Sequence, residues 1–255
     1  MTGVLLITGG ASGIGAETAR RAAKRGYKVA INYRTRDAQA MGLAADIAAQ
    51  DGEAIALPGD MASEAEIVRL FDETERVFGK ITHLVNSAGI GGGGVRVRDF
   101  DAQALQQLFT VNVVGLMLCC REAVRRMSTK RGGKGGAIVN ISSMAGTIGG
   151  RPGASHYAAS KAAVDSFTMG FAKDVAAEGV RVNSLRPGMV LTEMTEQRLK
   201  DDDFRAGIEA TIAMGRVGRA DEIANAALWL LSDEASFISG ACLDASGGGF
   251  VFGKR

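Results

Sequence analysis

Hydrophobic and polar positions alternate along this chain in two rhythms. Short apolar runs at 4–8, 28–33, 54–57, 83–86, 137–141, 181–185 and 241–244 read as strands buried on both faces. Between them, apolar residues recur at three- and four-residue spacing over 14–25, 38–50, 64–78, 102–127, 155–177 and 221–231, the pattern of amphipathic helices. Strand alternating with helix implies right-handed crossovers and a parallel sheet covered on both sides. No linker rich in Pro, Gly and Ser divides the pattern. The expectation is one doubly wound α/β domain over residues 1–255.

Three segments depart from the rhythm. Glycine clusters at 91–94 and 131–136 read as loops. The polar, charged stretch 189–215 follows the sixth strand at the carboxyl edge of the sheet, where ligands bind in such folds. It reads as a substrate lid, with a surface helical hairpin as the plainer alternative.

Composition narrows the partners. With 46% hydrophobic residues, only 5% aromatic, and 35 glycines in 255, the core is aliphatic and threaded by tight turns. A net charge of +2 lacks the basic field that a nucleic-acid or membrane-surface protein needs. No unbroken apolar run approaches the ~18 residues of a membrane span. The start, MTGVLLITGG, enters a strand directly and carries no leader pattern, which with three unpaired-looking cysteines (Cys119, Cys120 and Cys242) suits the reducing cytoplasm. His83 and His156 lie far apart without nearby cysteines, so no metal site is expected.

The first strand runs into GGASGIG and then a helix, placing Gly9, Gly13 and Gly15 where a chain must turn tightly and approach a pyrophosphate. The helix N-terminus behind that turn offers free N–H groups to phosphate. At the end of the second strand, AINYRTRD puts Tyr33 where an acid would bind a ribose 2′-hydroxyl, followed by Arg34. This favours NADP(H), with Arg34 on the 2′-phosphate and Arg36 assisting, against two merely solvated arginines. Asp60 ends the third strand, suited either to the adenine amino group or to capping the helix near Ser63. Asn86 opens NSAG, where Ala88 and Gly89 would let a ribose lie against backbone.

Tyr157 and Lys161 are four residues apart on a predicted helix and share a face. An ammonium there would lower a phenol pKa from about 10 towards the working range of an acid–base catalyst. The surrounding YAASKAAVDSF is rich in small residues, so something packs close. Upstream, ISS delivers serines to the carboxyl edge, where one can donate to a carbonyl oxygen gaining charge. VNVVG places Asn112 inside an apolar helix, where a kink with an ordered water would satisfy the amide. His156 points ~100° away from Tyr157, towards a substrate pocket, a subunit contact or solvent. Trp229 belongs in the core or an interface.

Taken in order and spacing, TGGASGIG, NSAG, VNVVG, ISS, YAASK and RPGMVLTEM resemble the motifs of the short-chain dehydrogenase/reductase family from Thr8 to Gly248. The resemblance implies a Rossmann-type domain with a seven-stranded parallel sheet, a homotetramer, and hydride transfer between a nicotinamide cofactor and an alcohol or ketone. It implies a tetrad of Asn112, Ser143, Tyr157 and Lys161. Tyr157 would move the proton, and Lys161 would also hold the nicotinamide ribose. Ser143 would steady the substrate oxygen, and Asn112 would hold a relay water. Further cofactor contacts are implied at Gly9, Ser12, Gly13, Ile14, Gly15, Arg34, Asp60, Met61, Asn86, Ala88, Gly89, Pro187, Gly188, Val190 and Thr192.

Two departures stand out. Ser12 replaces the basic residue of many NADP-preferring members, leaving NAD possible, and Ser87 replaces a usual asparagine. Within the family the likeness is to sugar (glucose-type) dehydrogenases and 3-oxoacyl-thioester reductases. A non-catalytic dinucleotide sensor on the same fold is the rival reading. The substrate is set by 91–100, 149–156 and 189–215, with Arg96, Arg98 and Arg151 as candidates for meeting an anionic substrate.

Overall fold

The structure, a computed structural model, describes residues 3–249. Residues 1–2 and 250–255, part of the expected 1–255 domain, lie outside it. Seven strands are β1 (Val4–Thr8), β2 (Lys28–Tyr33), β3 (Glu53–Pro58), β4 (Ile81–Asn86), β5 (Gly136–Ile141), β6 (Val180–Pro187) and β9 (Cys242–Ala245). They form one sheet in the order β3-β2-β1-β4-β5-β6-β9, every pair parallel. The predicted doubly wound, Rossmann-type architecture is present. Strand ends differ from expectation by a few residues. A two-residue pair, β7 (Val190–Leu191) with β8 (Gly218–Arg219), is too short to leave an alternating pattern in sequence.

Strand alternation sorts the core into two layers. Leu5, Ile7, Val29 and Ile31 face α1 (Gly13–Lys24), α2 (Asp37–Ala48) and α10 (Ala220–Leu231). Val4, Leu6, Ala30 and Ile138 face α3 (Glu64–Phe78), α5 (Leu116–Met127) and α7 (Ser155–Val175). Cys119 and Cys120 are free and fully buried in the second layer, and Trp229 is partly buried against the first. The remaining helices are α4 (Ala102–Phe109), α6 (Ala145–Ile148), α8 (Glu193–Leu199) and α9 (Asp202–Glu209).

The predicted helix over 102–127 is not uniform. A π segment, Thr110–Gly115, separates α4 from α5, so the irregularity expected at Asn112 takes the form of a widened turn. By length and mean hydropathy Ala102–Met127 could cross a membrane, yet Val111, Val113, Cys119, Ala123 and Met127 are buried in this core. Segment 189–215 contains β7, α8 and α9. Together with Val217, it builds a small core of its own from Leu199, Ile208 and Ile212.

At the amino edge of the sheet, Arg181 ties down the end of α10 through the carbonyls of Leu230, Leu231, Ser232 and Ile238. Beside it His83 sits edge-on to Tyr27, and burial, aided by the Arg181 charge, pushes its pKa down to about 4.

Candidate active site

A crevice opens where the strand order reverses between β1 and β4, outside the carboxyl ends. Its volume is about 170 Å³, and Gly9, Ser12, Arg34, Asp60, Met61, Ala88 and Gly89 all line it. The glycine turn is built for close approach. Gly9 has φ +62°, and a Cβ there would stand 2.7 Å from the Ala88 Cα; one at Gly15 would stand 2.4 Å from the Gly9 carbonyl oxygen. Gly13, with φ +52°, lies under Thr192, whose Cγ2 would be 3.2 Å from an added Cβ. Ser12 starts α1 without a side-chain cap, and the first turn holds no acid, so the N–H groups of Gly13, Ile14 and Gly15 are left for an anion. Pro187, Gly188 and Val190 lie at the end of β6 and in β7, outside the lining of the crevice.

Two polar residues that sequence reasoning passed over hold this crevice together. Asn32 accepts from the Gly9 N–H (3.2 Å) and donates to the Gly59 carbonyl (3.0 Å), joining the ends of β1, β2 and β3. Thr8 accepts from the N–H groups of Ser87 and Ala88, both at 3.2 Å, and so fixes the NSAG turn. The signal available was a lone polar residue at the carboxyl end of an otherwise apolar strand.

Asp60 does not cap α3. Ser63 does, accepting from the Glu66 N–H at 3.4 Å, because the helix begins at Glu64 and only the residue before it is in reach. Asp60 instead accepts from the Ala62 N–H (2.9 Å) and stands 3.8 Å from Arg34, whose side chain is half exposed. Asn86 turns inward. Its amide donates to Asn140 (2.9 Å), which donates to Thr168 (2.9 Å), forming a buried polar row across β4, β5 and α7.

Across the crevice, α7 carries Tyr157 and Lys161 on one face. The small residues around them are explained by α6: a Cβ on Gly146 would come within 2.9 Å of the Ala162 nitrogen. Ser143 follows β5 and accepts from the Ala145 N–H (3.1 Å), and its hydroxyl is near enough to the Tyr157 phenol to favour the phenolate. Ser142 is turned away and donates to the Lys161 carbonyl (3.0 Å). Lys161 is buried; its Nζ donates to the Ile141 carbonyl at 2.8 Å and lies 5.8 Å from the Tyr157 ring centre.

The electrostatics differ from the expected lowering of the phenol pKa by an ammonium. Burial pushes the Tyr157 phenol up, and the Ser143 hydroxyl pulls against that rise. Burial also brings Lys161 down to about 8, opposed by the carboxylate of Asp165 one turn further on. At Tyr157 dehydration is the largest influence, and one of the three Lys161 N–H groups goes to the Ile141 carbonyl.

Asn112 is likewise committed. Its Oδ1 accepts from the Ile90 N–H (2.8 Å), and its Nδ2 donates to the Ile90 carbonyl (3.0 Å) and Ser160 Oγ (3.2 Å). The side chain clamps the backbone at Ile90, in the loop beyond β4. His156 is buried and binds the Gly92 carbonyl. Among the described residues no cluster of His, Cys, Asp and Glu could hold a metal ion.

Residues 9–249 match the family described as enoyl-(acyl carrier protein) reductase. The chain is 40% identical to the uncharacterized oxidoreductase YgfF of Escherichia coli (strain K12) over 96% of this chain and 99% of that one. The protein belongs to the short-chain dehydrogenase/reductase family. The family uses a nicotinamide cofactor, and relatives of this chain are oxidoreductases acting on CH–OH groups. Other similar members include a 3-oxoacyl-[acyl-carrier-protein] reductase of Synechocystis, 36% identical over 98% of this chain and 97% of that one. The L-rhamnose 1-dehydrogenase (NAD(P)(+)) of a Sphingomonas species is 34% identical, over 97% and 96%.

Proposed function

We propose that this protein interconverts a secondary alcohol and a ketone using NADP(H), with Tyr157 moving the proton. The observation that carries the reading is the meeting of Ser143 with Tyr157 beside buried Lys161, across the crevice from an uncapped glycine turn. The glycine turn fits a dinucleotide: side chains at Gly9 or Gly15 would strike the backbone of Ala88 or Gly9, so only glycine lets the turn close and bring the uncapped start of α1 to the crevice for a pyrophosphate. Gly9, Ser12 and the first N–H groups of α1 would take the phosphates, Asp60 and Met61 the adenine end, and Arg34 a 2′-phosphate. Ala88 and Gly89 would floor the ribose, and Pro187, Gly188, Val190 and Thr192 would border the nicotinamide. The bound nicotinamide supplies or accepts the hydride.

In the reducing direction Ser143 Oγ donates to the substrate oxygen as negative charge grows there, and Tyr157 Oη delivers the proton to it. Lys161, mostly protonated at neutral pH with a pKa about 8, steadies the phenolate left behind. Asn112 keeps Ile90, and with it the entry to the glycine loop, in register; the second lone pair of its Oδ1 would be open to a relay water.

Sugars and 3-oxoacyl thioesters are the substrate classes most in keeping with the family resemblance, and the 189–215 hairpin would cover them. Phe237, fully exposed, and half-exposed Met169 and Val114 on helix surfaces suit assembly as a cytoplasmic homotetramer. Light scattering should give about four times the 26.5 kDa chain mass, and a monomer would count against this arrangement. The central test is Tyr157→Phe, scored with a panel of sugars, acyl thioesters and small ketones. Turnover should fall by at least about a thousandfold, with NADPH affinity nearly unchanged; retained turnover removes Tyr157 from the reaction.

A further inference from the structure

Two glycine-rich segments flank Tyr157, and neither carries a readable substrate code. One is the loop 91–94 beyond β4; the other is 149–154, leading into α7. Gly92 and Gly93 have φ of +71° and +72°, and Gly149, Gly150 and Gly153 lie between +77° and +87°. Such backbone does not hold itself in place, because glycine confers little conformational preference. The two segments are nevertheless joined. The Val95 N–H donates to the Gly153 carbonyl at 3.1 Å, and His156 Nε2 lies 2.9 Å from the Gly92 carbonyl. The fit is close: an added Cβ on Gly92 would stand 2.5 Å from His156 Nε2, and one on Gly153 would stand 3.0 Å from the Gly94 carbonyl carbon.

A carbonyl only accepts, so His156 must carry its proton on Nε2. Its Nδ1 is buried with no partner among the described residues, and the ring meets Phe100 edge-on at 5.0 Å. The side chain is 7% exposed, although the loop it grips is largely open to solvent. The loop lies between the start of α7 and the 189–215 hairpin, since a Cβ on Gly91 would be 3.8 Å from Met194 Sδ.

We propose that His156 is a positioning residue. Its Nε2–H bond to Gly92 fixes the glycine loop against the start of α7, and so sets the wall that holds the substrate next to Tyr157. This rests on the hydride-transfer reading for its catalytic consequence. The tie itself does not depend on that reading.

The test compares three variants. Glutamine places an amide N–H close to the position of Nε2, asparagine reaches only as far as Nδ1, and alanine removes the donor. In His156→Ala and His156→Asn, hydrogen exchange at the Val95 amide should speed up about tenfold, and KM for whichever carbonyl is turned over should rise by a similar factor, as for one lost hydrogen bond. The kcat should stay within about twofold, because binding rather than the chemical step is disturbed. NADPH affinity should not move. His156→Gln should behave as the parent protein in all of these.

Unchanged Val95 exchange in His156→Ala would overturn the proposal, as would a His156→Gln variant as impaired as His156→Asn. The Gln and Asn pair keeps the test decisive if the alanine variant fails to fold. A parent protein inert towards every carbonyl, yet showing the predicted exchange pattern, would overturn the hydride-transfer reading and leave the tie supported.

Discussion

Arg34 and Asp60 face each other across one end of the crevice at 3.8 Å, both in contact with solvent. An exposed pair of this kind contributes little to stability, so the guanidinium can turn to a 2′-phosphate at small cost. Arg34→Ala should therefore weaken NADPH binding by about tenfold to a hundredfold, the worth of a charge-assisted hydrogen bond, while NADH binding changes little. Titration with both cofactors checks this, and equal losses would speak against the 2′-phosphate role. At this scale the sequence was legible wherever a residue type has one use in a given place. Glycines at 9, 13 and 15, the Tyr157–Lys161 spacing and the serine after β5 were all readable. It was silent where several partners compete for one side chain. Asp60 reads as an adenine partner or, more plainly, as a cap, and its choice of the Ala62 N–H depends on how β3 exits towards α3. The balance at Tyr157 was also hidden, since burial by distant parts of the chain decides the direction in which the phenol moves.

Elements with long periodic patterns were found from sequence close to their true limits; α3 spans the expected 64–78. The π segment was read only as a kink, because one extra residue in a turn does not break an apolar pattern. Its end is anchored by Gly115, where a Cβ would stand 2.1 Å from the Met61 carbonyl oxygen. Gly115→Ala should force the π segment away from the loop that lines the crevice, destabilising the fold by about 1–3 kcal/mol as other overpacked sites do. Urea unfolding measures this, and a loss below about 0.5 kcal/mol would mean that the segment gives way freely. The 189–215 hairpin shows the opposite limit. Its helices are short, and they bury Leu199 and Ile208 against each other rather than against the sheet, so no long amphipathic stripe announces them.

The whole molecule has a chemical edge and a structural edge. At the amino edge, His83 is held neutral with a pKa about 4. The unfolded chain binds a proton there near pH 6.5, before the folded one does, so folding stability falls as pH drops from about 6.5 to 4, by about 3 kcal/mol in all. Above that window His83 contributes no pH dependence. Replacing it in His83→Gln should flatten the slope of stability against pH between 6.5 and 4, read from urea midpoints; an unchanged slope would assign the loss to other groups. The carboxyl edge has a different dependence, on time. The crevice lies between β1 and β4, whose register joins Val4 to Ile81, and every strand pairing in the main sheet is parallel. Such pairings close long loops before they repay the lost chain entropy. On a ribosome, the glycine turn therefore emerges early but has no floor until NSAG has been made and docked on Thr8. Cofactor capture thus becomes a clock for the centre of the sheet: a nascent chain stopped short of β4 should be blind to dinucleotide, however complete its first helix.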